Sequence, residues 1–206
     1  MHVPRSSDPA YVPLTWGGAP VSTWANLVTA VRTVASIVIG IVGVLDASMT
    51  LLVIAYAVYW IGDSLDGNVA RWLDHETRLG AVFDILSDRA CSAVLIGGLF
   101  VVRPEWAPAL GVYFLQFMVV DCMLTLAFLH WPIVSPNYFY TVDRRIWQLN
   151  WSVPAKTANT TLLLVVLLVA PVAVATVLAI VQLAVKLWSS HRMLRIAARD
   201  DACSTA

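Results

Sequence analysis

Long apolar runs, broken by short polar or proline-bearing joints, fill the chain from Leu27 to Trp188. Their lengths and composition predict six membrane-crossing helices. The predicted spans are about Leu27–Leu45, Ser48–Trp72, Leu79–Val102, Ala107–Trp131, Ala155–Val169 and Val172–Trp188. Asp46 and Ala47 make the first joint and Arg103-Pro104-Glu105 the third; Pro132 ends helix four and Pro171 marks the fifth joint. No proline falls between Pro20 and Pro104, so helices two and three can run unbroken. The runs are too long and too uniformly apolar for barrel strands. The expected fold is an all-α integral membrane protein with six transmembrane helices and a polar cavity facing the cytoplasm. Residues 1–24 are expected to form a cytoplasmic or interfacial segment, 25–190 the helical domain, and 191–206 a cytoplasmic tail.

Composition supports the lipid environment. Only 13% of residues are charged and 59% are hydrophobic, against roughly 25% charged in a soluble domain. The zero net charge decides little, but its distribution sets orientation. Arg71 and Arg78 border the second joint, Arg144, Arg145 and Lys156 the fourth, and Lys186, Arg192, Arg195 and Arg199 lie towards the C-terminus. The positive-inside rule then puts both termini and the second joint in the cytoplasm. Trp72, Trp106, Trp131 and Trp188 fall at predicted helix ends, as an aromatic belt would. The expected location is a bacterial plasma membrane. Cys91, Cys122 and Cys203 have no paired spacing and read as small core residues. Four prolines before residue 21 break up the N-terminus, and no cleavable signal is expected.

Against this background one polar pattern stands out. From Asp63 the chain reads D-x-x-D-G-x-x-A-R, then eight residues, then G-x-x-x-D-x-x-x-D, ending at Asp88. Asp63, Asp66, Gly67 and Ala70 share one face of helix two; Gly80, Asp84 and Asp88 form a stripe on helix three. The short joint makes these helices antiparallel neighbours. Asp63 and Asp88 both lie roughly 13 Å in from the cytoplasmic helix ends, at a rise of about 1.5 Å per residue. Charged residues at that depth are a functional-site hypothesis by default. Four converging carboxylates need cations between them to stay ionised. An all-oxygen donor set suits a hard ion, Mg²⁺ or Mn²⁺. Gly67 and Ala70 leave room for a ligand, and Arg71 suits a phosphate. The chemistry implied is metal-assisted transfer at a phosphate.

These residues fill every position of the signature of the CDP-alcohol phosphotransferase family, which the chain resembles over roughly residues 24 to 190. Asn26-x-x-Thr29-x-x-Arg32 in the first helix also resembles a family segment. The resemblance implies displacement of CMP from a CDP-linked lipid, usually CDP-diacylglycerol, by an alcohol acceptor, in phospholipid biosynthesis. It implies two Mg²⁺ or Mn²⁺ ions held among Asp63, Asp66, Asp84 and Asp88, with Asp88 also taking the proton from the acceptor. It assigns Asp63, Gly67, Ala70, Arg71 and Thr29 to the cytidine diphosphate, and it implies a homodimer. No nucleic-acid partner is expected. Two features depart from the family pattern. The N-terminal prolines oppose a long interfacial helix, and Ala155-Lys156-Thr157-Ala158-Asn159 keeps one lysine of a Gly-Lys-x-Lys-Thr-like stretch. The acceptor stays open among glycerol 3-phosphate, an inositol phosphate, phosphatidylglycerol and serine, although Asp88-Arg89 looks more like the inositol-phosphate branch.

Arg144 and Arg145 are candidates to bind an acceptor phosphate or an anionic lipid headgroup, and Lys156 is a candidate acceptor contact; the plainer reading of the two arginines is positive-inside bias. Asp121, inside helix four, either lines the cavity or pairs with a neighbouring arginine. Two other functions fit the acids less well. An intramembrane prenyltransferase needs a second Asp-rich motif, which this chain lacks. A divalent-cation transporter would not need Gly67, Ala70 and Arg71 at their offsets.

Overall fold

The structure, a computed structural model, describes residues 24–73 and 76–204; the side chains of Asp66, Ala70, Arg71, Cys203 and Ser204 lie outside the described set. The expected N-terminal segment, 1–24, lies outside it up to residue 23. Every regular element among the described residues is helical. Six stretches are long and apolar enough to cross a membrane: Trp24–Leu45, Met49–Val69, Arg78–Val102, Pro104–His130, Arg144–Val169 and Val172–Ala202. The chain divides into two compact units, which meet in sequence between Phe114 and Leu115.

The first unit is built on α1 (Trp24–Leu45), α2 (Met49–Trp72) and α3 (Arg78–Val102), followed by α4 (Ala107–Leu115). The buried stripe of α1 is Ala25, Thr29, Arg32, Ser36, Gly40 and Gly43, mostly small or polar, while Val31, Val34, Val38 and Leu45 point outward. Lipid offers no hydrophobic drive between helices, so close backbone approach and interhelical hydrogen bonds must supply the packing. Both are present. A Cβ on Gly43 would lie 3.0 Å from Leu51 Cβ, and the Ser36 hydroxyl donates to the Ala55 carbonyl at 2.9 Å. Beneath them Ala55, Tyr59, Cys91 and Leu95 form a buried cluster from α2 and α3. Thr77 caps α3, its hydroxyl accepting the Gly80 N–H at 2.9 Å.

The second unit departs further from the expected pattern. Helix four is not a plain α-helix. A π-helical turn occupies Gln116–Asp121, then α5 (Cys122–Leu126) leads into a 3-10 turn, Ala127–His130. The joint after Pro132 holds an unforeseen short helix, α6 (Arg144–Asn150), before α7 (Val153–Val169). Asp143 explains α6: its carboxylate accepts the Ile146 N–H at 2.9 Å and bonds both Nε and Nη2 of Arg192. The last helix, α8, runs Val172–Ser204 rather than stopping near Trp188. No glycine or proline follows Pro171, and Arg192 and Asp200 tie the extension to the joint between helices four and five. Two of the expected belt tryptophans are core residues instead. Trp106 and Trp131 are buried, and the Trp131 indole N–H donates to Asp200.

Candidate active site

The acidic motif lies wholly in the first unit. Asp63 projects from α2, and Asp84 and Asp88 from successive turns of α3. One carboxylate oxygen from each gathers within 4.8 Å of the others. All three remain partly open, with side chains 39%, 36% and 21% exposed. That combination of convergence and access suits an ion binding among them, and the donors are all hard oxygens. The side chain of Asp66, the expected fourth carboxylate, lies outside the described residues, as do those of Ala70 and Arg71.

Arg32 of α1 stands at the centre of this group. Its Nη2 donates to Asp84 Oδ1 at 2.5 Å and to Asp88 Oδ1 at 3.0 Å, and lies 3.8 Å from Asp63 Oδ1. Its guanidinium carbon also lies 5.6 Å from the centre of the Tyr59 ring. Gly62 makes the path: a Cβ there would come 2.5 Å from Arg32 Cβ and Cδ. In the sequence Arg32 closes the Asn26-x-x-Thr29-x-x-Arg32 segment, a lone charge in an apolar run, but nothing there ties it to the carboxylates. Gly80 of the signature has a similar steric reason. A Cβ on it would fall 2.9 Å from the Thr77 hydroxyl and 3.0 Å from Asn26 Oδ1.

The other expected site residues are placed on several elements. Thr29 is buried on the α1 stripe and its hydroxyl bonds the Ala25 carbonyl at 3.1 Å. Gly67 follows on α2, half-buried. Arg144 and Arg145 are exposed on α6, in the second unit. Lys156, also exposed, donates to Asn137 Oδ1 at 2.8 Å. Asp121 pairs with Lys186 Nζ at 2.5 Å, with both side chains buried. Lys186 is therefore a buried ion-pair residue of α8, not one of the exposed basic groups towards the C-terminus.

Six apolar spans, and a cluster of three carboxylates within the first unit, define a helical membrane protein with a candidate divalent-ion centre. The family model for CDP-alcohol phosphatidyltransferases matches residues 22–188, and the chain belongs to that family. The family's reaction moves a phosphatidyl group from a CDP-alcohol to an acceptor and uses a divalent metal. Comparison with curated proteins and with solved structures gives no match.

Proposed function

We propose that this protein transfers the phosphatidyl group of CDP-diacylglycerol, or a close analogue, to an alcohol, releasing CMP, as a step of phospholipid biosynthesis. The observation that carries the reading is the convergence of Asp63, Asp84 and Asp88 within a chain matched to the family over 22–188. Asp63, Asp66 and Asp84, with Asp88 beside them, hold Mg²⁺ or Mn²⁺, two ions in the full site. When bound, such ions offset the charge of the diphosphate and polarise its phosphorus. Gly67 and Ala70 let the cytidine diphosphate approach the backbone, and Arg71 pairs with its phosphate. Asp63 and Thr29 complete that subsite.

Asp88 accepts the proton of the acceptor hydroxyl. The acceptor oxygen forms a bond to the phosphorus bearing the lipid, and the bond from that phosphorus to CMP breaks. No covalent enzyme intermediate is needed. Arg144, Arg145 and Lys156 bind the acceptor's own phosphate, which favours glycerol 3-phosphate or an inositol phosphate. The enzyme works as a homodimer with both termini and the active site facing the cytoplasm.

The test is purified protein incubated with CDP-diacylglycerol, Mg²⁺ and each acceptor in turn, read by CMP release and by mass spectrometry of the lipids. One acceptor should yield a new phospholipid in step with CMP. Absence of metal-dependent CMP release with every acceptor would refute the reading.

A further inference from the structure

Arg32 lies inside the first span, and its side chain is only 3% exposed. A guanidinium at such depth stays charged and must be matched by anions. The match here is specific. A single nitrogen, Nη2, faces oxygens of Asp63, Asp84 and Asp88, the three carboxylates that come within ligand distance of one another. Gly62 supplies the second observation, since the smallest side chain at that position would overlap Arg32 Cβ and Cδ. Room for the arginine is thus built into α2, one residue before the first carboxylate.

Three carboxylates this close repel one another unless a cation stands among them. We propose that Arg32 is a positioning residue that serves as a resident cation of the cluster, holding Asp84 and Asp88 in place before a divalent ion arrives and lowering the affinity with which that ion is held. Among the described residues, Arg32 meets three carboxylates and Arg89 also acts on Asp88; the carboxylates stay in excess, so the cluster still attracts a divalent ion. The ion must compete for Asp84 and Asp88 oxygens already engaged by Nη2, and it meets the arginine's like charge. Arg32 thereby makes metal loading reversible without leaving the unloaded site to spring apart. The inference rests on the reading of these carboxylates as metal ligands.

The test uses the full chain in detergent, without substrate. Mn²⁺ is titrated and its free concentration read by electron paramagnetic resonance; melting is followed in chelator and in saturating Mn²⁺. Arg32→Gln should bind Mn²⁺ roughly 10-fold to 100-fold more tightly, the range expected when a charge-assisted hydrogen bond no longer has to be surrendered. It should also melt at a lower temperature than the parent in chelator, with the gap closing in Mn²⁺. Arg32→Lys should restore much of the parent behaviour. Gly62→Ala, which displaces the arginine and keeps its charge, should move both readings in the same direction as Arg32→Gln. Unchanged or weaker Mn²⁺ binding by folded Arg32→Gln overturns the proposal; if that variant does not fold, unchanged binding by Gly62→Ala does so. Asp84→Asn separates the two failures. If it weakens Mn²⁺ binding while Arg32→Gln leaves it unchanged, the metal reading stands and the role of Arg32 falls. If Asp84→Asn binds Mn²⁺ as well as the parent does, both fall.

Discussion

Removing the amine of Lys186 isolates the energetic cost of one buried charge. Lys186 Nζ lies 2.5 Å from Asp121 Oδ1, and the two side chains are 3% and 10% exposed. The Thr125 hydroxyl, 3.5 Å from the other carboxylate oxygen, is too distant to replace the lysine. Lys186→Met keeps most of the side-chain volume and removes the charged partner of Asp121 within the second unit. Breaking one partner of a buried pair costs about 3–5 kcal/mol, because the remaining ion is left desolvated. Replacing both partners removes that penalty, so Asp121→Asn with Lys186→Met should recover all but about 1–2 kcal/mol. Equilibrium unfolding in mixed micelles, titrated with a denaturing detergent and read by tryptophan fluorescence, measures each variant and closes the cycle. A loss below about 1 kcal/mol in the single variant would show that water or another group already compensates Asp121. A double variant as damaged as the single one would show that shape, rather than charge, was lost.

Asp88→Asn should leave CDP-lipid binding nearly intact and slow CMP release by about 10²–10⁴-fold, the usual cost of losing a general base; parallel loss of binding and turnover would make Asp88 chiefly a metal ligand. Asp63→Asn or Asp84→Asn should remove most activity with partial rescue by excess Mg²⁺, and near-normal CMP release by either variant would discard the metal assignment. Lys156→Ala and Arg144→Ala should raise the KM for a phosphorylated acceptor more than for the CDP-lipid, since uniform binding is what they would supply; equal effects on both substrates would return these residues to topology signals. Burial raises the Asp143 carboxyl, but the Arg192 side chain and the Ile146 N–H outweigh it and hold the group below the ordinary aspartate value. A carboxyl depressed in the folded state contributes stability above its unfolded pKa, about 3.9, and loses it as pH falls through the lower folded value. Melting temperature should therefore drop more steeply on acidification below about pH 5 in the parent than in Asp143→Asn, and identical acid profiles would dismiss the clamp.

The six spans were legible because lipid imposes one rule on every run: backbone groups must be satisfied within the segment. The acidic motif was legible because Asp at helical spacing has few bland explanations in an apolar helix. What stayed hidden depends on partners distant in sequence. Arg32 and Asp84 are 52 positions apart, and nothing in local periodicity ties them together. The helix Arg144–Asn150 is too short to declare itself by pattern, and its anchor Arg192 lies 49 residues beyond Asp143. Lys186 was misread for the opposite reason. Counting basic residues by position treats every lysine as solvated, and only the packing of α8 reveals that this one is not.

The π-helical turn at Gln116–Asp121 separates two quantities that an ordinary helix ties together. Each α-helical residue adds about 1.5 Å of length and about 100° of rotation. Deleting one residue within 116–121, so that the turn relaxes to α geometry, would shorten the fourth span by only ~1.5 Å, a mismatch a bilayer tolerates at little cost. The widened turn absorbs its extra residue, so the same deletion would leave the angular phase of the adjoining residues nearly unchanged. The turn thus acts as a buffer: one residue can be lost here while Asp121 keeps its aim at Lys186 and the span keeps its fit to the membrane. A one-residue insertion or deletion in an ordinary α-helical stretch would instead turn everything beyond it by about 100°.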